Sequence, residues 1–244
     1  MKIVILAGGR GTRGKPFTDY FPKAMIPIEG KPLIDYIVKY VSSFDFINEV
    51  IILADFTGIG NQIKRYLEDR KVYGKKIRFI QDSNSGTGGD LAHLSVILKK
   101  ERDFILWFVD NFCAIDLSKM FKFHNQKGGI ACIATRRYRK EETGYAKVQD
   151  DLVTEFQEKP FITIPMAECL GIYILDTKIL KIIKSKMEKK KEVNLSFDVL
   201  QDLAKRKTVS AFDIGRENWI DIESPNKVER NKKVIKEIIR KMKN

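Results

Sequence analysis

The chain has 244 residues, of which 43% are hydrophobic and 32% are charged, with only 7 prolines and 16 glycines. This composition excludes a collagen, a low-complexity disordered chain and a disulfide-stapled miniprotein, and it suffices for a buried core. No apolar run approaches the roughly 20 residues of a membrane span, and the first one is too short for a signal peptide. The three cysteines are far apart and form no CxxC pair, which favours a reduced, cytoplasmic protein.

The net charge is +13, and much of the excess lies in residues 178–191 and 227–243, where lysines alternate with apolar residues at helical spacing. Such spacing predicts amphipathic helices with a solvated basic face. Nucleic-acid binding is disfavoured because no helix-turn-helix, aromatic RNA-binding pair or zinc-finger spacing accompanies the charge. With His93 and His124 as the only histidines, both on predicted helices, the chemistry must come from Asp, Glu, Lys, Arg and the backbone.

Strand and helix alternate through the first 135 residues. Apolar runs predict strands at 2–7, 50–54, 77–80, 104–109 and 129–135. Between them, the apolar spacing predicts helices at 32–41, 61–69, 88–100 and 116–128. This order favours an α/β fold with a mostly parallel, doubly wound sheet and helices on both faces.

The pattern changes after residue 136. Short alternating runs at 145–149, 152–156 and 170–175 predict additional sheet, and helices are predicted at 177–189 and 196–205. Late strands at 209–212 and 219–222 precede a C-terminal helix at 225–243. Because no repeat and no linker interrupts the chain, we expect one domain, 1–244, with halves at about 1–135 and 136–222.

The most informative segment is residues 8–18, directly after the first strand. It holds four glycines and three cations, Arg10, Arg13 and Lys15, but no acidic residue. Glycine lets backbone N–H groups approach an anion closely, and the carboxyl end of a strand is where α/β folds bind phosphates. We interpret the segment as a polyphosphate loop, although neither the Walker A nor the GxGxxG spacing is present.

A longer pattern surrounds this loop: Leu6-Ala7-Gly8-Gly9-x-Gly11-Thr12-Arg13, then Pro16, Thr18 and Pro22-Lys23-Ala24-Met25-x-Pro27. It resembles the signature of the sugar-1-phosphate nucleotidyltransferases, also called sugar pyrophosphorylases. Later segments match that family in order: Gly86-Thr87-Gly88-Gly89, Asp110, the EKP motif Glu158-Lys159-Pro160, Gly171-Ile172-Tyr173 and Trp219-Ile220-Asp221-Ile222. The resemblance extends from residue 2 to about 230.

The resemblance implies a Rossmann-like, GT-A-like mixed sheet, with the nucleotide bound by the first half and the sugar phosphate by the second. It implies catalytic roles for Arg13, Lys23 and Asp110, and a Mg²⁺ held by Asp110 and Asp221. The implied nucleotide-binding residues are Leu6, Ala7, Gly8, Gly9, Gly11, Thr12, Arg13, Gln81, Gly86, Thr87 and Gly88. The implied sugar-phosphate-binding residues are Gly144, Glu158, Lys159 and Cys169.

The implied reaction joins a sugar 1-phosphate to the α-phosphorus of a nucleoside triphosphate and releases pyrophosphate. The attacking oxygen is already anionic, so the reaction needs positioning and charge stabilisation rather than a general base. Family members are often oligomers, and the apolar face of the C-terminal helix is a candidate contact surface. We expect no nucleic-acid partner and no membrane partner.

Several positions depart from the family pattern. Val109 and Cys169 replace a usual glycine and asparagine, Gly14-Lys15 replaces a leucine and loosens the loop, and Glu223-Ser224-Pro225 replaces Gly-Thr-Pro. These departures favour an unusual substrate, the alternative being a silent homologue that binds sugar phosphates or nucleotides as a sensor. The GTGG segment favours GTP as donor, whereas Gln81 and Asp110-Asn111-Phe112 favour dTTP or UTP, so both remain open. Gln81 is equally well explained as an ordinary polar strand end.

Overall fold

A mixed seven-stranded sheet organises the computed structural model, which describes residues 1–9, 11–68 and 74–243. The strands are β1 (Lys2–Leu6), β2 (Pro27–Ile28), β3 (Lys31–Pro32), β4 (Glu49–Ala54), β5 (Lys76–Gln81), β6 (Asp103–Phe108), β7 (Asn111–Cys113), β8 (Ala131–Lys140), β9 (Tyr145–Gln149), β10 (Leu152–Gln157), β11 (Phe161–Asp176), β12 (Val209–Asp213) and β13 (Trp219–Asp221). The helices are α1 (Leu33–Ser42), α2 (Asn61–Glu68), α3 (Gly86–His93), α4 (Ser95–Leu98), α5 (Leu117–Lys127), α6 (Ile179–Met187), α7 (Gln201–Lys205), α8 (Pro225–Arg230) and α9 (Lys232–Lys243), and a π-helix at Leu195–Leu200 precedes α7.

The strand order in this sheet is β12-β8-β11-β6-β1-β4-β5. β1 is parallel to β4 and β6, and β4 is parallel to β5. β11 reverses the direction because it is antiparallel to both β6 and β8, and β12 runs parallel to β8 at the edge. The predicted mixed, mostly parallel sheet is therefore confirmed.

Alternate residues of the central strands enter two separate hydrophobic clusters. Ile3 and Ile5 pack in one cluster with α1 and α9, whereas Val4 packs in the other with α3 and α6. Side chains of a strand alternate between the two faces, so a strand covered on both sides needs a continuous apolar run. This explains why β1 and β4 are continuously apolar after their first residues, Lys2 and Glu49.

The second half differs most from its predicted elements. The predicted strand 170–175 is the end of the 16-residue strand β11, and β8 continues to Lys140 rather than ending at 135. Between them, β9 and β10 pair as an antiparallel ribbon whose side chains are all exposed. The predicted helix 88–100 is divided into α3 and α4.

The single predicted C-terminal helix, 225–243, is wrong in two respects. It breaks at Asn231 into α8 and α9, and the Asn231 side chain donates a hydrogen bond of 2.9 Å to the Lys227 carbonyl, satisfying the last turn of α8. The apolar face of α9, with Ile235 and Ile238, is buried in the core with α1, so these side chains are not an exposed contact surface. Within the described residues, no helix combines the length and the apolar character that crossing a membrane requires.

Candidate active site

The glycine loop leaves β1 and folds back on Thr18. Gly11 has φ +63°, and a Cβ atom there would lie 2.8 Å from the Thr18 Cβ, so both the conformation and the contact require glycine. The Thr18 hydroxyl donates to the Gly11 carbonyl at 2.6 Å, and the Gly14 N–H donates to the same carbonyl at 2.8 Å. Arg10, one of the three predicted loop cations, lies outside the described residues.

Arg13 connects this loop to the end of β13. Its Nη1 atom lies 2.6 Å from Glu223 Oε2 and 3.7 Å from Asp221 Oδ2, while two-thirds of its side chain is exposed. The loop and the second aspartate are 208 residues apart in the chain, and this ion pair is where they meet. A solvent-accessible guanidinium beside two carboxylates can change partner when an anion arrives.

Asp110 and Asp221 are brought together by the short antiparallel ribbon of β7 and β13. In its register Asp221 lies opposite Asn111, and the Ile222 N–H donates to the Asp110 carbonyl at 2.7 Å. Burial raises the pKa of Asp221, and the nearby Asp110 carboxylate raises it further. The pair therefore carries negative charge that the protein only partly compensates.

Lys23 supplies part of the compensation. It begins a 3₁₀ turn after Pro22, and its Nζ atom donates to Asp110 Oδ2 at 2.8 Å. Both side chains are largely shielded, with 13% of Lys23 and 22% of Asp110 exposed. Arg13, Lys23, Asp110 and Asp221 thus form one continuous cluster of charges.

The chemistry of this cluster fits a Mg²⁺ ion. Magnesium is typically bound through one or two carboxylates, with substrate phosphates and water as its other ligands. The partly compensated Asp110–Asp221 pair offers two carboxylates for that donor set. The described ranges contain no group of three or more His, Cys, Asp or Glu side chains suited to a metal. Two carboxylates beside a phosphate loop are what such an ion requires.

Asn111 has a structural role in this cluster. In the sequence it was part of the Asp110-Asn111-Phe112 segment that bore only on the choice of nucleotide base. The Asn111 side-chain amide donates to Asp110 Oδ1 at 3.0 Å and accepts a hydrogen bond from the Trp219 indole at 3.1 Å. A Cβ on Gly171 would lie 2.4 Å from the Asn111 amide nitrogen, so the glycine of the Gly171-Ile172-Tyr173 motif makes room for this orientation. Trp219 is therefore partly buried, packs against the hydrophobic core and is hydrogen-bonded to this cluster.

Asp82 is a second residue that the sequence did not single out. A Cβ on Gly8 would lie 2.4 Å from Asp82 Oδ2, so this carboxylate touches the glycine loop directly. Burial raises the pKa of Asp82, and the neighbouring Asp90 and Asp55 carboxylates raise it further. Its position follows from the parallel pairing of β4 with β5, because the Asp82 N–H donates to the Ala54 carbonyl.

The predicted nucleoside-binding segment, 86–89, packs closely against the chain at Val193, and its glycines make this close packing possible. The Gly88 and Gly89 N–H groups donate to the Val193 carbonyl at 2.8 and 3.1 Å, and a Cβ on Gly88 would lie 2.9 Å from the same oxygen. The Thr87 hydroxyl accepts from the Leu195 N–H. Gln81 ends β5 with an exposed side chain, which is bonded to Asp55 and to the Phe56 N–H.

The predicted sugar-phosphate residues lie on the side of β11 and the ribbon. Lys159 and Asp221 line one cavity of about 760 Å³ between β8, β11 and the helices α8 and α9. Gly144 lies against Glu158 in the exposed ribbon, because a Cβ on Gly144 would be 3.0 Å from Glu158 Oε2.

The structure locates two of the residues that depart from the family pattern, Cys169 and Val109. Cys169 is exposed on β11 opposite Thr135. Burial raises the pKa of the neighbouring Tyr173 to about 12, with smaller contributions from Cys169 and Asp110. The Val109 side chain is buried in the core, away from the charge cluster.

The fold and this charge cluster agree with what the family comparison shows. The nucleotidyl transferase family model matches residues 2–236, so the chain belongs to that family.

Among curated relatives, the chain is 31% identical over 206 residues to a UTP–glucose-1-phosphate uridylyltransferase from Synechocystis sp., covering 77% of this chain and 52% of that protein. It is 26% identical over 234 residues to mannose-1-phosphate guanyltransferase 2 from Candida glabrata, covering 92% of this chain and 62% of that protein. The chain thus spans between half and two-thirds of the length of these relatives.

A solved structure of a UDP-glucose pyrophosphorylase complexed with UDP-glucose has the same fold. It superposes with a TM-score of 0.70 at 21% identity, covering 97% of this chain and 98% of that chain.

Proposed function

We propose that this chain is a Mg²⁺-dependent sugar-1-phosphate nucleotidyltransferase, which forms a nucleotide sugar and pyrophosphate from a nucleoside triphosphate and a sugar 1-phosphate. The observation that supports this most is the contact cluster of Arg13, Lys23, Asp110 and Asp221 at the mouth of the glycine loop. The relatives are named for uridylyl and guanylyl transfer, and GTP and dTTP or UTP are the donors to test first.

In the proposed reaction, the chain's residues bring two polyanions together. Arg13 leaves Glu223 to bind the β- and γ-phosphates, and Lys23 neutralises charge that develops between the reacting phosphates. Lys159, across the cavity edge from Asp221, holds the sugar phosphate for in-line attack. Asp110 and Asp221 would hold a Mg²⁺, which would supply positive charge to stabilise the negative charge of the phosphates.

No general base is needed in this mechanism because the attacking phosphate oxygen is already ionised. The position of the two histidines agrees with that requirement. His124 is buried and hydrogen-bonded to Asp103 at 3.2 Å, in the core behind the sheet, and His93 ends α3. The three cysteines are unpaired, which supports a reducing, cytoplasmic setting.

A pyrophosphate-release assay with Mg²⁺, the common triphosphates and a panel of sugar 1-phosphates tests the proposal. We expect turnover with at least one pair, and we expect Asp110→Ala to lower it by at least about 10³-fold while the protein stays folded. Asp202→Asn is the matched control, because Asp202 pairs with Lys186 on the surface. Binding of nucleotide without turnover for any pair would favour a sensor and contradict the proposal.

A further inference from the structure

The cavity that Lys159 and Asp221 share carries more positive charge than a sugar 1-phosphate requires. Among the described residues, eight lysine or arginine side chains and five carboxylates line it. A ligand can use this excess only where a cation lacks a partner within the protein.

Two of the arginines are neutralised within the wall of the cavity. Arg136 pairs with Glu168 at 2.8 Å and stacks on the Trp219 ring at 4.5 Å from its centroid. Arg139 pairs with Glu141, also at 2.8 Å. These residues build the wall and leave little charge for a ligand.

Five of the eight cations form no ion pair within the described ranges. Lys159 is assigned to the sugar 1-phosphate and Lys140 lies over the Phe161 ring, which leaves three cations without a role. Arg216, Arg230 and Lys233 line the cavity, and none forms an ion pair with a residue of the described ranges. The Arg216 guanidinium lies 5.0 Å from the centroid of the Tyr138 ring, a stacking contact that orients the group without neutralising it.

Two of these three cations follow Asp221 closely in the chain. Lys227, which is 3.7 Å from Glu223, lies on α8, and Arg230 follows it by three residues on the same helical face, a rise of about 5 Å. Lys233 is the second residue of α9. A sugar 1-phosphate bound at Lys159 and Asp221 shares its cavity with Arg216, Arg230 and Lys233, which are therefore available to another part of the sugar.

We propose that the sugar 1-phosphate accepted here carries a second anionic group, a carboxylate or a phosphate, which Arg216, Arg230 and Lys233 bind. This inference rests on the proposed nucleotidyl transfer and specifies its substrate class. Like charges gathered in one cavity repel each other, and an anionic ligand relieves that repulsion. The arginine forks match either a carboxylate or a phosphate by paired hydrogen bonds.

The test compares sugars that differ only at carbon 6. Glucose, mannose and galactose 1-phosphates are each assayed in the neutral form, as the uronic acid and as the 6-phosphate. We expect kcat/KM for one anionic form to exceed that of the neutral sugar by about ten- to hundredfold, as for one or two hydrogen bonds to a charged group. The preferred form separates a carboxylate from a phosphate ligand.

The double variant Arg230→Gln, Lys233→Gln should reduce this preference by about tenfold or more. Lys236→Gln is the matched control, because Lys236 lies on the same helix but pairs with Glu29 at 3.7 Å; it should retain the preference. Turnover that favours the neutral sugars, or a double variant that lowers all three forms equally, would overturn the inference and leave the proposed function standing. No turnover with any sugar phosphate would instead contradict the proposed function.

Discussion

The two ends of the candidate site differ in whether their charged side chains are paired within the protein. At the phosphate end, Lys23 pairs with Asp110 and Arg13 pairs with Glu223, and Lys23 and Asp110 are largely shielded from solvent. In the cavity beyond Asp221, Arg216 and Arg230 are exposed and have no ion-pair partner within the described ranges. A shielded charge without a partner is costly, whereas an exposed one is tolerated. The comparison shows that the charges beside the glycine loop are paired within the protein, whereas these two arginines of the cavity are not.

Of the variants that test this difference, Lys23→Met should lower the activity most. Removing the cation beside Asp110 should lower kcat by about 10²–10³-fold, because charge stabilisation must supply the catalysis. Steady-state kinetics with saturating substrates measures this. Lys15→Met removes an exposed cation of the same loop that pairs with Asp19, so it should change kcat only slightly. Equal losses in both variants would mean that the loop needs positive charge in general and not Lys23 in particular.

Lys159→Met should act on binding of one substrate. We expect KM for the sugar 1-phosphate to rise about ten- to hundredfold, while KM for the triphosphate stays unchanged, since Lys159 lines the cavity but does not touch the glycine loop. Lys147→Met, on the exposed strand β9, is the control. A parallel rise in both KM values would show that the two ends are not separate.

Gly14 shows that two departures from the family pattern are physically coupled. It is buried, and a Cβ there would lie 2.6 Å from the Glu223 carbonyl and 2.6 Å from Thr18 Cγ2. The expectation that Gly14 loosens the loop is therefore wrong, because the missing side chain allows the loop to pack closely on the segment after β13. That approach is what brings Glu223 within reach of Arg13.

Gly14→Ala should push the glycine loop away from Glu223, because the added methyl group would collide with the Glu223 carbonyl. We expect a loss of about 1–3 kcal/mol in the free energy of unfolding, as for overpacking, together with lower activity. Gly9→Ala is the matched control, because no atom lies within 4 Å of a Cβ built at Gly9. Denaturant unfolding of both variants makes the measurement, and equal stability of the two would contradict the close contact.

Glu49→Gln should have the smallest effect of these variants, a change in the free energy of unfolding, because Glu49 lies outside the candidate site. Burial alone would raise the pKa of Glu49, but hydrogen bonds from Arg78 and Lys2 outweigh it and lower the pKa below its ordinary value of 4.5. Because the pKa is lower in the folded state than in the unfolded chain, the ionised Glu49 stabilises the folded protein at pH values above about 4.5. This stabilisation is lost as the pH falls through the lowered pKa of the folded state. The variant should be about 1 kcal/mol less stable at neutral pH, and the difference should shrink in acid. A difference independent of pH would exclude this origin.

Much of the fold was predictable because its signals are local. Apolar runs such as 2–7 and 104–109 mark strands covered on both faces, and the lysine-rich segment 178–191 forms α6 with Ile179 and Ile183 buried and its lysines mostly outward. The glycine loop was recognisable for the same reason, since its residues adjoin in sequence. The break at Asn231 was missed because helical periodicity continues across it.

The partners of the site residues were decided by the tertiary structure alone. Asn111 orients Asp110 only because β13 pairs with β7, and Asp82 touches the glycine loop only because β5 lies beside β4. Such contacts depend on strand register between segments far apart in the chain, which composition and periodicity do not encode. The sequence by itself therefore determined the family, the sheet and the charged residues. The strand register determined which of the described charges are paired and which are not, because it sets the distances between segments far apart in the chain.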